Sequence, residues 1–239
     1  MPTLPLRLAC LTLFVTAVGA HAQPATDLWR VDLNGAEPQP VPLTDRDGYD
    51  NQPHVTPDGS AVLYTSARDG QTDIYRLDLA TGASTQVTDT PESEYSPTMM
   101  PGGERFSVIR VESDGTQRLW SAAMDGTDWR LVLEEIAPVG YHAWAGPDRV
   151  ALFVLGEPPT LQLASTASGD ADTLAGNIGR SLLPIPARNS ISFVQKAEDG
   201  PWSVRALDLT DGTITDLGRT LPNREDLAWL LNGRMLMAD

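Results

Sequence analysis

Hydrophobic and polar residues alternate in short runs along most of the chain after residue 26. In the segment DIYRLDLATG, which starts at Asp73, Leu77 and Leu79 flank the polar Asp78. A period of two residues is typical of β-strands, whereas an amphipathic helix repeats about every 3.6 residues. The 20 glycines and 19 prolines interrupt the chain too often for a convincing helix. The pattern therefore predicts an all-β protein.

One phrase, an alternating strand that runs into a turn, occurs five times. Its copies begin at Asp27, Asp73, Arg118, Thr160 and Ser203, at intervals of 46, 45, 42 and 43 residues. A second phrase follows each copy and consists of a short segment, a turn and an apolar strand. Its first turn is Pro-Asp-Gly at 57–59, where proline presets one backbone angle and glycine accepts a positive φ. We call the first phrase the outer half of a repeat and the second the inner half.

The two halves together supply about four short strands in roughly 44 residues, which is the size of one propeller blade. We predict a β-propeller of four-stranded blades; an irregular β-sandwich is the alternative, and the regular spacing disfavours it. Pairing of the last inner half, Met235 to Met237, with the first outer half, from Asp27, would close a ring of five blades without exposed edges. The alternative is a six-bladed propeller truncated at the C-terminus, in which Asp239 is not the natural end.

The first residues have the features of a secretory signal peptide. Arg7 gives a basic start, an apolar run follows, and Ala20 and Ala22 are small residues at the two cleavage-recognition positions. We expect residues 1–22 to be removed and residues 23–239 to form a single propeller domain. The protein would then be periplasmic or secreted.

Two other interpretations of this segment are weaker. The apolar run from Leu8 to Ala20 is too short for a transmembrane helix, which needs roughly 20 residues. A lipoprotein signal would need its cysteine after the apolar run, whereas Cys10 lies near its start. Because Cys10 is the only cysteine, the mature chain would contain no disulfide and no thiolate metal site.

Composition limits the possible partners. The formal net charge is -15, which argues against nucleic acid and anionic lipid, since both are bound through Lys and Arg. No second apolar segment has the length of a membrane span, so we expect no membrane insertion. We expect a monomer whose partner is a protein or peptide.

A family resemblance rests on the segment YTSARDGQTDIYRLDLATGASTQVT, from Tyr64 to Thr88, which PHVTPDGSAVL precedes and EYSP follows. These residues resemble the propeller repeat of TolB and related WD-repeat-like periplasmic proteins. DLWRVDL and PLTD, between Asp27 and Asp45, match the second half of that unit. The resemblance implies a propeller, commonly six-bladed, that binds proteins or peptides on one face. TolB itself carries an α/β domain before its propeller, and here the first strand phrase begins only a few residues after the predicted cleavage site.

Aromatic, acidic and histidine residues near the starts of the inner strands form a candidate binding rim. Its members are Tyr49, Asp50, His54, Glu94, Tyr95, Tyr141 and His142. Other aromatic residues, Trp29, Tyr75 and Trp120, share one register of the outer strands, and we expect them to pack in the core.

Two metal sites are conceivable from the sequence, and neither is favoured. His54 and His142 could reach the channel and bind a metal with nearby carboxylates, although a lone hydrogen-bonded histidine is more common. The loop DRDGYDN places Asp45, Asp47 and Asp50 around a glycine, which makes it a weak Ca²⁺ candidate without EF-hand spacing. We expect no cofactor other than this possible Ca²⁺.

The sequence favours a non-catalytic binding propeller. No serine lies in a Gly-x-Ser-x-Gly elbow, and no local signature supports a catalytic triad. A carbohydrate-active hydrolase or lyase with its site at the channel mouth is the alternative, but the equivalent positions of the repeats vary in polarity. A structural module, or a fragment of a larger protein, is a third possibility.

Overall fold

The computed structural model describes residues 24–33 and 37–237, and all regular secondary structure in this part of the chain is β. The predicted signal peptide lies outside the described residues. The described part contains no helix with the length and apolarity needed to cross a bilayer. The prediction of an all-β protein is confirmed.

In residues 24–33 and 37–237, twenty strands form four four-stranded sheets and two two-stranded sheets. Half-sheet N contains β1 (Trp29–Asp32) and β2 (Gln39–Pro42). Blade 1 contains β3 (Asp50–Val55), β4 (Ala61–Arg68), β5 (Gln71–Asp78) and β6 (Ser84–Gln86). Blade 2 contains β7 (Ser93–Met99), β8 (Arg105–Val111), β9 (Gln117–Ala123) and β10 (Arg130–Leu131). Blade 3 contains β11 (Val139–Trp144), β12 (Arg149–Val154), β13 (Thr160–Ser165) and β14 (Ala171–Gly176). Blade 4 contains β15 (Ile178–Pro184), β16 (Ser190–Gln195), β17 (Ser203–Asp208) and β18 (Ile214–Arg219), and half-sheet C contains β19 (Leu227–Trp229) and β20 (Met235–Met237).

Each blade is an antiparallel meander whose strands pair in chain order. The turns have the predicted chemistry. Between β3 and β4, Gly59 adopts a φ of 69°, and its N–H donates to the carbonyl of Thr56 at 2.8 Å. The carboxylate of Asp58 accepts the hydroxyl of Thr56 at 2.6 Å and the backbone N–H of Ser60 at 3.1 Å. The turn thus satisfies its own polar groups.

The hydrophobic core is divided into layers, and each layer lies between two neighbouring sheets. Leu28 of the segment before β1 packs against Tyr64 and Leu77 of blade 1. The next layers join blade 1 to blade 2, blade 2 to blade 3, and blade 3 to blade 4. Stacking of sheets face to face in sequence order is the arrangement of a propeller.

The two half-sheets are the predicted halves of a repeat. In half-sheet N, the N–H of Leu28 donates to the hydroxyl of Thr44 at 2.9 Å, as the N–H of Ile74 does to Thr88 at 2.8 Å in blade 1. Half-sheet N therefore corresponds to the third and fourth strands of a blade. Half-sheet C, the last inner half, corresponds to the first and second.

The described residues form neither the predicted fifth blade, closed by the terminal strands, nor a sixth blade. Four complete blades are present, and the described residues of the two half-sheets belong to separate sheets. The strands of half-sheet C have three residues each, which gives the edge of β20 few groups with which to pair. Neither described strand of half-sheet N pairs with half-sheet C, and Trp29, expected in the core, is 57% exposed.

Half-sheet C is nevertheless docked like the start of a blade. Trp229 of β19 donates its indole N–H to the hydroxyl of Ser192 on β16 at 2.8 Å. Trp144 of β11 makes the same bond to Ser107 on β8 at 2.9 Å, and both pairs are 37 residues apart in sequence. The same inter-sheet hydrogen bond thus recurs at two boundaries.

Candidate binding site in the central channel

The first strands of the four blades converge on a cavity of about 520 Å³, which we call the channel cavity. Each of these strands contains a register shift at the centre of the molecule. At two of the shifts, Gln52 and Ser96 adopt a φ of 54°, a left-handed conformation that is uncommon for residues with a side chain. Such bulges redirect side chains and are frequent beside functional sites.

A second cavity of about 620 Å³, the mouth cavity, adjoins the first. The residues that line both cavities form the waist of the channel, and they are Tyr49, Asn51, Gln52, Tyr141 and Arg180. Two of them, Tyr49 and Tyr141, were predicted from the sequence as rim residues. The waist therefore combines two phenols, two carboxamides and one guanidinium.

The three predicted rim tyrosines lie close to one another. Burial is the main reason why the pKa of Tyr49 is raised to about 12, and the neighbouring phenols of Tyr141 and Tyr95 raise it further. Tyr141 packs edge-on against Phe153, with 5.9 Å between ring centroids. Tyr95 lines the mouth cavity. Because its pKa lies far above 7, the phenol of Tyr49 remains protonated at neutral pH and can donate a hydrogen bond.

Both predicted histidines line the channel cavity. His142 is 6% exposed, and its Nε2 lies 2.7 Å from the hydroxyl oxygen of Ser107. Burial, and to a smaller extent His54, lowers the pKa of His142 to about 3. Burial also lowers the pKa of His54. The imidazole of His142 is therefore neutral under physiological conditions.

The hydrogen bonds of Ser107 favour one tautomer of His142. The Ser107 hydroxyl donates its one proton to the carbonyl of Thr98 at 3.2 Å and accepts the indole N–H of Trp144. Its remaining lone pair is matched when His142 carries the proton on Nε2. Nδ1 of His142 is then a lone-pair acceptor, and among the described residues it is buried without a partner.

Gln52 is held by the neighbouring blade. Its side-chain oxygen accepts the backbone N–H of Ser96 at 2.9 Å and the hydroxyl of Thr65 at 2.8 Å. These bonds connect blade 1 to blade 2 and leave the carboxamide nitrogen of Gln52 at the waist. Sequence reasoning missed Gln52, because the left-handed bulge sets the direction of its side chain, and nothing in NQPHV predicts that bulge.

Arg180 was also missed. Its Nε donates to Oε1 of Glu225 at 2.9 Å, and its Nη2 lies 4.0 Å from Asp226. Burial acts to lower the pKa of Arg180, but Glu225 and Tyr141 raise it above the usual value. The available signal was composition: a basic residue at the start of an inner half is notable in a chain with 17 basic and 32 acidic residues.

The predicted acidic rim residues lie inside the blades. Asp50 is buried, and Arg46 binds its carboxylate through Nε at 3.0 Å and Nη2 at 2.8 Å. Glu94 is fully buried and accepts Nε of Arg110 at 3.1 Å. Both side chains therefore pair with arginine and do not line either cavity.

The three carboxylates of the calcium candidate do not converge. The carboxylate of Asp50 forms an ion pair with Arg46, whereas Asp45 and Asp47 are exposed. Within residues 24–33 and 37–237, no group of three or more His, Cys, Asp or Glu side chains is arranged to hold a metal ion. The two histidines of the channel cavity lack a third ligand of these types in the same part of the chain.

Comparisons with known proteins agree with the propeller assignment. No protein-family model matches the chain. The Tol-Pal system protein TolB of Francisella tularensis subsp. tularensis is 28% identical over 102 residues, which are 42% of this chain and 23% of that protein. The chain thus spans about a quarter of the length of this relative.

Solved structures extend the similarity to most of the fold. The crystal structure of TolB from Acinetobacter baumannii superposes with a TM-score of 0.68 and 17% identity, covering 87% of this chain and 52% of that chain. An oligogalacturonate lyase in complex with manganese superposes with a TM-score of 0.61 and 16% identity, covering 87% of this chain and 62% of that one. Similarity to TolB in both sequence and structure confirms the TolB-like propeller repeat that the sequence predicted.

Proposed function

We propose that this protein is an exported, non-catalytic propeller that binds an extended segment of a protein or peptide partner in the channel cavity. The observation that carries the proposal is the waist, where phenol, carboxamide and guanidinium groups from three blades meet between two connected cavities. Aromatic side chains supply contact area at low entropic cost, and fixed polar groups supply orientation. The relative from Francisella tularensis is named for the Tol-Pal system, so envelope proteins are the first candidates for the partner.

The chemistry of the cavity supports binding over catalysis. The one serine bonded to a cavity histidine within the described residues, Ser107, is fully buried and already accepts Trp144. His142, with a pKa lowered by burial to about 3, is a weak base at neutral pH. The pair therefore acts as a structural link between blades.

Site-specific photocrosslinking tests the proposal. A photoreactive phenylalanine analogue replaces Tyr141 at the waist, and the same analogue replaces Leu231, which is 95% exposed in the turn of half-sheet C. In the native envelope extract, the probe at 141 should trap a discrete partner that the probe at 231 does not. The trapped segment, made as a synthetic peptide, should bind the wild type and bind the Gln52→Ala variant more weakly.

Equal crosslinking from both positions would contradict a channel-binding function. Conversion of the synthetic peptide, or of an oligosaccharide, into a product by the purified protein would contradict the non-catalytic assignment. Export is tested separately, because N-terminal sequencing of the mature protein should begin at Gln23.

A further inference from the structure

Arg180 is held in the channel by a carboxylate that lies outside the inner strands. Glu225, in the segment between β18 and β19, accepts the backbone N–H of Arg180 through Oε2 and its Nε through Oε1, both at 2.9 Å. The side chain of Glu225 is 12% exposed and also lies 3.1 Å from Nζ of Lys196. One carboxylate thus contacts two cations.

Gly179 makes this approach possible. A Cβ atom at position 179 would lie 2.5 Å from Oε2 of Glu225, which is closer than real contacts allow. The backbone φ of Gly179 is not in the left-handed region, so the lack of a side chain is what the position requires. The sequence Gly179-Arg180 therefore fixes where the guanidinium stands.

The guanidinium retains unused donors at the waist. Arginine has five N–H donors, and in the described part of the chain only its Nε and backbone N–H form hydrogen bonds. Asp226 lies 4.0 Å from Nη2, beyond hydrogen-bond distance, and is 77% exposed. It lines the channel cavity. Asp226 thus stands near the guanidinium as a loosely held carboxylate.

We infer that Arg180 forms a carboxylate-binding subsite, in which an acidic group of the bound peptide replaces Asp226 and forms hydrogen bonds with Nη1 and Nη2. Pairing of arginine with a carboxylate through two parallel N–H donors is the strong geometry for such a contact. Tyr49 and Tyr141 line the same waist and provide hydroxyl donors for the carboxylate lone pairs that Arg180 does not occupy. The inference rests on the proposed peptide-binding function and specifies the chemistry of the partner.

Short peptides of matched size test the subsite. Tri-glutamate and tri-glutamine are titrated into the wild-type protein by calorimetry at constant ionic strength. Tri-glutamate should bind about 10-fold more tightly, the ratio that one charge-assisted pair worth roughly 1.4 kcal/mol produces. The Arg180→Gln variant should lose this ratio, and Arg180→Lys, which keeps the charge without the planar fork, should retain part of it.

Two further variants keep the test decisive if Arg180→Gln folds poorly. Asp226→Asn removes the competing carboxylate and should tighten tri-glutamate binding several-fold without affecting tri-glutamine. Arg30→Gln removes one positive charge from the exposed strand β1 and should leave the ratio unchanged.

Equal binding of the two peptides, or no binding of either one at millimolar concentration, would overturn the carboxylate subsite. Neither result affects the crosslinking experiment at position 141, so that experiment tests the proposed function independently. Selectivity that survives in Arg180→Gln would also overturn the assignment to Arg180.

Discussion

Arg110 donates a hydrogen bond from Nε to Oε1 of Glu94 at 3.1 Å, inside blade 2 and away from solvent. The guanidinium of Arg110 lies over the ring of Trp129, 3.8 Å from its centroid. Oε2 of Glu94 and Nη2 of Arg110 are buried, and no described residue is their hydrogen-bond partner. Since a buried charge is costly unless its hydrogen bonds are complete, this pair is electrostatically expensive.

Glu94 should make the stability of the protein depend on pH. Burial raises the pKa of Glu94 from 4.5 to about 7, so the folded state binds a proton that the unfolded state releases. Its contribution is therefore fully present below about pH 4.5 and is lost as the pH rises through about 7. Between pH 5 and pH 8, the wild type should lose roughly 2 kcal/mol of unfolding free energy relative to Glu94→Gln.

Urea unfolding at several pH values measures this difference. Glu104→Gln, which removes an exposed carboxylate from the turn before β8, is the matched control and should follow the wild type. Parallel pH profiles of the wild type and Glu94→Gln would show that Glu94 is ionised at the same pH in the folded and unfolded chains.

The Trp229–Ser192 hydrogen bond should decide whether half-sheet C stays docked. Trp229→Phe keeps an aromatic ring and removes the N–H donor, which costs about 1 kcal/mol for one partly buried hydrogen bond. Since half-sheet C has few other contacts with blade 4, amide hydrogen exchange in β19 and β20 should accelerate about five-fold or more. Blade 1 should keep its protection.

Trp144→Phe provides the comparison, because Trp144 makes the equivalent bond to Ser107 between two complete blades. Its loss should lower the global unfolding free energy without selective exchange in β11. Uniform acceleration of exchange across the protein in Trp229→Phe would mean that half-sheet C unfolds together with the blades.

His142 should remain neutral well below the pH at which a histidine ordinarily gains a proton. Its pKa is lowered to about 3, first by burial and then by His54. In ¹⁵N-resolved NMR, its ring signals should stay constant from pH 8 to pH 5, with the proton on Nε2. Ser107→Ala removes the acceptor that selects this tautomer and should allow the Nδ1–H form to appear.

Titration of His142 near its ordinary pH would show that the channel cavity is wetter or more open than the structure. An Nδ1–H tautomer in the wild type would mean instead that Ser107 donates its proton to His142 and not to Thr98.

The sequence predicts the blades well because their signals are local. The alternation in DIYRLDL and the turn at Pro57–Gly59 each depend on residues within one hairpin, and both agree with the strands β4 and β5. Tyr49, Tyr141 and His142 lie near the starts of inner strands and line the channel cavity.

What the sequence could not supply is the partner of each group. Asp50 and Glu94 occupy equivalent rim positions, but Arg46 and Arg110 draw them into the blades through contacts that no repeat pattern encodes. The outer and inner halves at the two termini are visible in the sequence. Whether they pair is a long-range property, and in the described residues they form separate sheets.

Gly179→Ala should disturb the waist without changing any charge. The added methyl would lie 2.5 Å from Oε2 of Glu225, so Glu225 must move and release Arg180. Because Oε2 is the end of a flexible side chain, the cost should lie at the low end of overpacking, about 1 kcal/mol, which thermal unfolding would detect. Because the guanidinium would no longer be fixed, selectivity for tri-glutamate should fall while the net charge stays constant.

Gly176→Ala is the control, since its new Cβ would meet nothing closer than 3.7 Å and should leave both properties intact. Unchanged selectivity in a destabilised Gly179→Ala protein would show that Glu225 stabilises the fold without positioning Arg180.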